Sequence, residues 1–572
     1  MDVDERDCWR ELIGAAKSYP GGTFMPPLRA PHREDRARML GALAWEYDRP
    51  EVLTARAVAV TLAAGSELGR LVLTDDDDAN ATAFLNLLLL PACKGRMLAA
   101  WGAADAGFFT FLRQFARPLV RLGCTIEPIA TGSRCKALII RKGRRSWWLT
   151  DAGEMVGAAS VTEAQLAQEY APRTPAPVGS AERLAAALGG FQRSLLGCFG
   201  VSIRATIGAA ALRAATRFVP ADRWVWRPPP LLVAMCRTGH AMRGGYVYAE
   251  RYDGPAFRLD VNKAYTGALA GELPLRMALT SAHGGHEGQL GVFLCRVRGP
   301  GRLPVYLGVW QGKGEGFKLD YWQGRHALAV LTSTEITGII ALGYQVQQLG
   351  GYAAIRTWTL QSFAQQVAAV CVKHGRGSAH ERTAKVIGNA VYGKLAERPE
   401  REQVMYAEQR PGPEWRPMLD EHGEHVPDLW TAREIAHRPG QHVDVAATIT
   451  GRVRGQVYEA AALVLALGGD VVHADTDGLL ATVNPGAYLA QHAHQPGTWR
   501  VEDEPQRAIV WGRKGYAFGD QVKAAGFAGL TAADAERLVR GGDVETTYMP
   551  TPAPWRIGAG VGEAKRTARA TA

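Results

Sequence analysis

The run VVHADTDGLL at positions 471–480 constrains this chain more than any other stretch. Two apolar residues lead into alternating positions, so a strand here would place His473, Asp475 and Asp477 on one face and Ala474, Thr476 and Gly478 on the other. Carboxylates two residues apart on a strand repel each other, and burial sharpens the repulsion unless a cation neutralises them. Asp and Gly are also frequent in tight turns, so the same letters describe an Asp-rich hairpin without chemistry. A fold built on this sequence must either leave the hairpin in water or gather a cation site around it.

Two further segments bear on that choice. In FRLDVNKAY, Phe257, Leu259 and Val261 alternate with Arg258, Asp260 and Asn262, which puts Asp260 on the polar face of a strand near its end, with Tyr265 on the following turn. Alone, such an Asp reads as a helix cap. Joined to the DTD run it supplies a third carboxylate, the set that two divalent ions need for in-line phosphoryl transfer. In AHERTAKVIGNAVYGKLAE, Lys385, Asn389 and Tyr392 fall on one helical stripe, with Arg382 one turn earlier. That stripe can hold a triphosphate at one end and a base pair at the other, or it can be a solvated face whose Tyr packs on the core.

Composition narrows the class. The chain has 572 residues, 47% apolar and 21% charged, which excludes disorder for most of its length and predicts several domains. Its 66 Lys and Arg outnumber 56 Asp and Glu, a net charge of +10, which suits an enzyme with a groove for a polyanion. Lys385, Arg382, Lys394, Lys514 and Lys523 are the expected contributors to that groove. The eight cysteines form no CxxC pair, so a reducing compartment is expected, without a disulfide framework or zinc ribbon. The start, MDVDERDCWREL, is wrong for a signal peptide, and the strongest apolar run, Phe84 to Leu90, contains Asn86 and stops at Pro91. A cytoplasmic protein with no membrane anchor is expected, in the host cytoplasm if the chain is viral.

Taken in order, the three segments resemble the polymerase motifs of family B DNA polymerases. LDVNKAYTGAL is similar to motif A (DxxSLYP), KVIGNAVYGK to motif B (KxxxNSxYG) and HADTDG to motif C (YxDTDS). GRKGYAF resembles the KxY motif at Lys514 and Tyr516, and MRGGYVY the YxGG-type link, with Met242 where Tyr is usual. The resemblance covers residues 240–520 strongly and the first 240 weakly. It implies an α+β multidomain protein: an RNase H-like, exonuclease-type N-terminal domain and a right-hand polymerase with an antiparallel-sheet palm, helical fingers and a small thumb. The corresponding boundaries are 1–200 for the exonuclease-like domain, 201–274 and 441–518 for the palm, 361–397 for the fingers and 519–572 for the thumb. The C-terminal 50 residues are expected as a small helical cap with a frayed basic end.

The same resemblance implies Asp260, Asp475 and Asp477 as the catalytic carboxylates, with Asp260 and Asp477 as ligands of two Mg²⁺ ions and Mn²⁺ as a substitute for them. Tyr265, Lys385, Asn389, Tyr392 and Arg382 would bind the nucleotide, and Arg243, Gly244, Gly245, Lys514 and Tyr516 the DNA. Lys263, Thr266, Ala390, His473 and Gly478 depart from the motifs without removing a metal ligand. The partners implied are primer-template DNA and dNTPs, acting on a monomer. The spans 275–360 and 398–440 match the two insertions of the protein-primed branch of phages and linear plasmids, where the first contacts a terminal priming protein and the second gives processivity.

The N-terminal domain keeps only part of a proofreading set. Glu46 and Asp48 stand in the reverse of a DxE order, Asp105 fits the second motif without its Asn, and Ser180 stands where the third motif needs an acid. A 3′–5′ exonuclease is therefore expected to be absent. The run Asp75–Asp78 reads as a solvated turn. Two alternatives remain: a polymerase-derived DNA-binding or regulatory protein without synthesis, and an exonuclease acting alongside polymerisation.

Overall fold

A computed structural model describes residues 3–19, 38–47, 57–64, 66–101, 108, 112–131, 134–157, 162–220, 226–280, 288–398, 400–419, 425–435, 441–490, 495–502, 504–525, 527, 529–548 and 564–569.

The N-terminal domain is a seven-stranded sheet in the order Glu67–Val72, Ala57–Ala64, Leu40–Tyr47, Met97–Ala100, Arg145–Asp151, Arg134–Lys142, Thr125–Thr131. Met97–Ala100 runs parallel to both its neighbours, and the other pairs are antiparallel. Alternation sends successive residues to opposite faces: Ala42 packs with Leu188 and Phe191 of the helix Ala181–Phe199, and Leu43 with Phe84 and Leu88 of the helix Asp77–Leu89. Both helices begin where the sequence supplies a cap. Asp76 accepts from the amides of Asp78 and Ala79, so the four-Asp run starts a helix, and Ser180 accepts from the Arg183 amide.

The helix Val3–Ala16 does not join this domain, contrary to the expected 1–200 boundary. Its Cys8 and Leu12 pack with Leu232 and Met235 of the helix Pro230–Arg237 and with Val292 and Leu294 of a different sheet.

The centre of the molecule is an eight-stranded, wholly antiparallel sheet. Its path runs Gln521–Ala524, Gly515–Phe518, Gln506–Gly512, Tyr252–Val261, Gly478–Ala481, Val471–Thr476, Tyr246–Ala249, with Trp499–Val501 added beside Tyr252–Val261. Behind it lies the long helix Val443–Ala466, buried along most of its length. A six-stranded antiparallel sheet spans Leu273–Trp358, and its helix Ser333–Ala341 crosses the long helix at small residues. A Cβ on Gly455 would lie 2.2 Å from the Thr334 carbonyl oxygen, so the close crossing requires glycine there. The helices Gln361–His374 and Ala379–Leu395 follow, then a three-stranded sheet within Glu400–Ile435.

Among the described residues the C-terminal part differs from the expected helical cap with a frayed end: one helix, Ala532–Val539, packs on the central sheet's edge, and the strand Ala564–Ala568 of the basic segment pairs antiparallel with Val544–Tyr548. Among the described residues no helix is long and apolar enough to cross a membrane.

Candidate active site

The strand Tyr252–Val261 carries Asp260 one residue before its end, flanked in register by Gly478 on one side and Arg500 on the other. Asp475 is the penultimate residue of Val471–Thr476 and pairs with Gly478 and Val247. The strand stops at Thr476, whose φ of 65° reverses the chain, so Asp477 lies in the hairpin turn and not on a continued strand face. The Asp477 amide donates to the Asp475 carbonyl at 2.7 Å, and its own carbonyl accepts from Val261 at 2.9 Å. The hairpin expected from Asp and Gly is thus present, and it is what delivers Asp477 to Asp260.

The electrostatics match this grouping. Burial pushes the Asp477 carboxyl up to about 7, and the charges of Asp260 and Asp475 add to the rise. The neighbouring cations are side chains: Arg500 Nη2 lies 3.5 Å from Asp260 Oδ2, and Lys514 Nζ lies 3.9 Å from Asp475 Oδ1. Among the described residues no three His, Cys, Asp or Glu side chains close up as a ready-made metal cage. The three carboxylates are neighbours that share one charge problem, and an all-oxygen donor set of this kind fits a hard divalent cation whose remaining ligands come from elsewhere. His473, beneath them, is buried against the Tyr516 ring, with centroids 4.4 Å apart, and burial lowers its pKa to about 4.

The helix Ala379–Leu395 approaches from the other side. Lys385 and Asn389 are exposed on it, and Tyr392 stacks on Tyr265 with centroids 4.2 Å apart and planes 15° apart. Burial and the neighbouring Tyr392 push the Tyr265 phenol above its ordinary range, and the charge of Asp477 adds to the effect. The Tyr pair therefore borders the carboxylates. Lys385 Nζ is held by Glu381 at 2.5 Å. Lys263, with φ of 44°, starts the helix Ala264–Ala270 and contributes to the field at Glu381. Gly388 is where the two helices touch, since a Cβ there would lie 2.2 Å from Thr266 Oγ1.

Arg382 is placed differently from the expectation. Its guanidinium folds back onto the Gly377 carbonyl.

Arg243 also departs from its expected role at DNA. Its guanidinium is fully buried, 2.7 Å from Glu335, and donates to the carbonyls of Tyr306 and His240. Arg454, equally buried, donates to Glu335 at 2.8 Å and to the carbonyls of Arg243 and Gly244. These bonds fix the loop before Gly245, on which a Cβ would come within 2.8 Å of the Thr476 backbone. Gly244 has open space around it and Lys514 is exposed, whereas Tyr516 is buried. The local sequence pattern gives no sign of Glu335 or Arg500, whereas Arg454 stands, with Arg452, inside the apolar run TITGRVRGQVYEAA, the signal of a buried charge.

In the N-terminal domain, Glu46 lies on the strand Leu40–Tyr47, while Asp48 and Asp105 fall outside the described residues. Ser180 is occupied as a helix cap.

The fold that carries this site is shared with solved structures of Phi29 DNA polymerase. A ternary complex with primer-template DNA and incoming nucleotides matches with a TM-score of 0.65 at 17% identity, over 94% of this chain and 100% of that one. An orthorhombic crystal form matches at 0.62 and 15% identity, over 93% and 100%, and a complex with single-stranded DNA at 0.60 and 15%, over 89% and 97%. No protein-family model and no curated protein matches the sequence.

Proposed function

We propose that this chain is a template-directed DNA polymerase that adds deoxynucleotides to a 3′ hydroxyl and serves a phage or plasmid replicon. The observation that carries the reading is the grouping of Asp260, Asp475 and Asp477 at one end of an antiparallel sheet, with the Tyr265–Tyr392 stack beside Asp477. In the reaction, the primer 3′ oxygen forms a bond to the α-phosphorus of the nucleotide while the bond to the bridging oxygen breaks and pyrophosphate leaves.

Asp260 and Asp477 would hold two Mg²⁺ ions, with Asp475 supporting them. Bound there, the ions lower the pKa of the 3′ hydroxyl and stabilise the departing pyrophosphate. The protein supplies the positioning. Lys385 exchanges Glu381 for the triphosphate, acting as a point charge. The face of Tyr265 lies under the sugar and leaves no room for a 2′ hydroxyl, while Asn389 and Tyr392 border the nascent base pair. Gly244, Gly245 and Lys514 contact the backbones of template and primer.

The palm then comprises 201–274 and 441–518, the fingers 361–397 and the thumb 519–572. The six-stranded sheet is the candidate for contacts to a terminal priming protein, and the three-stranded sheet for processivity. The N-terminal domain lacks proofreading in this reading, in keeping with Ser180 at the place of an acid.

One gel tests the proposal: a 5′-labelled primer-template with Mg²⁺, with and without dNTPs. Extension is expected with dNTPs, and no shortening without them. DNA binding without extension would favour the non-synthetic alternative.

A further inference from the structure

We infer that Glu169 is a positioning residue for nucleotide binding, through which the N-terminal domain clamps the first turn of the helix that carries Lys385, Asn389 and Tyr392. The inference rests on the polymerase reading above. A helix begins with four amide groups that have no partner inside it. In Ala379–Leu395 the Ser378 hydroxyl accepts from the Glu381 amide at 3.0 Å, and the first bond inside the helix runs from the Arg382 amide to the Ser378 carbonyl at 3.0 Å. The amides of Ala379 and His380 donate to the two carboxylate oxygens of Glu169, that of His380 at 3.0 Å. Glu169 belongs to the helix Glu163–Tyr170 of the other domain, 210 residues before Ala379. Its charge also meets the positive end of the helix dipole.

The grip extends to both sides of the turn. His380 Nδ1 bonds the same carboxylate, and its ring lies 4.9 Å from Tyr170 and parallel to His374 at 4.0 Å. His374 is the last residue of the preceding helix, Gln361–His374. The turn in turn sets Lys385, because Glu381 accepts from the Gly377 amide at 3.1 Å and pairs with Lys385 at 2.5 Å. Glu169 therefore reaches the nucleotide site through the turn and Glu381, without touching the substrate.

The test is steady-state primer extension by the full chain with dNTP varied, together with hydrogen exchange at residues 379–382. Glu169→Ala should raise KM for dNTP about fivefold, the size of a lost helix cap, with kcat and primer-template Kd within about twofold of the parent. It should also speed exchange at Ala379 and His380. Glu169→Gln keeps one of the two acceptor oxygens and replaces the other with an amide donor, so KM and exchange should fall between the parental and Glu169→Ala values. Glu163→Ala removes a carboxylate of the same helix that accepts from Gly179 at 3.2 Å, and it should leave KM unchanged. A parental KM and parental exchange in Glu169→Ala, or an equal rise in Glu163→Ala, overturns the clamp. Should Glu169→Ala fail to fold, unchanged KM in His380→Ala together with parental exchange at Ala379 and His380 in Glu169→Gln overturns it. A parent chain that fails to extend sinks the polymerase reading alone, and exchange then decides the clamp.

Discussion

Glu335→Ala removes the anion shared by two buried guanidinium groups. The carboxylate accepts from Arg243 Nη2 at 2.7 Å, from Arg454 Nε at 2.8 Å and from the Thr332 amide at 3.0 Å, and all three charged side chains are fully enclosed. Removing one partner of a buried ion pair costs about 3–5 kcal/mol, because the remaining charge cannot return to water. Here two cations are stranded, but each keeps carbonyl acceptors: Tyr306 and His240 for Arg243, and Ala241, Arg243 and Gly244 for Arg454. A loss of about 4 kcal/mol is expected.

The assay is urea unfolding followed by Trp fluorescence, repeated across pH. Burial opposes the charge on Glu335, yet Arg243 and Arg454 outweigh it and hold the carboxyl below its ordinary range. A depressed folded-state pKa means that the stabilisation is present above the unfolded value of about 4.3 and is lost as pH falls through the folded value. The gap between parent and variant should therefore be full at neutral pH and narrow in acid. A neutral-pH loss below about 0.5 kcal/mol, the range of ordinary surface substitutions, would refute the reasoning, as would a gap that does not narrow.

Three other outcomes follow from the site. Gly388→Ala should cost about 1–3 kcal/mol by overpacking against Thr266, and Thr266→Ala in the same chain should recover much of it, read from thermal unfolding of the single and double variants. Lys385→Ala should raise KM for dNTP by about tenfold or more while primer-template binding in gel shift stays near parental, since the role proposed for this lysine is at the triphosphate and not at DNA. Tyr265→Val should narrow the preference for dNTP over rNTP in single-nucleotide incorporation, since it removes the ring proposed to lie under the sugar; an unchanged ratio would remove Tyr265 from that role.

What the sequence displayed and what it concealed divide along the distance between partners. Asp475 and Asp477 are legible because strand alternation and the Asp-Gly turn fall within ten residues, Asp260 because its own strand alternates around it, and the helix Ala181–Phe199 because its cap and apolar stripe are contiguous. Arg243 was misread because its partner Glu335 lies 92 residues away, and a basic residue before Gly-Gly looks the same whether it faces DNA or a buried carboxylate. The strand Ala564–Ala568 was read as a frayed tail because Val544–Tyr548, its partner, leaves no trace in the local pattern. The helix Val3–Ala16 was assigned to the wrong unit for the same reason, since the surface it covers begins at Leu232. The position of Asp477 was half legible: spacing identified the residue, but only the left-handed Thr476 explains how it turns toward Asp260.

Whether Asp260 and Asp477 serve one nucleotidyl-transfer site is measured most directly by primer extension with Mg²⁺ and dNTPs by the parent chain and by Asp260→Ala and Asp477→Ala. The parent should extend the primer, and each variant should lose about 10³-fold or more in rate while still binding primer-template DNA. Extension that survives either substitution at near-parental rate would contradict the account.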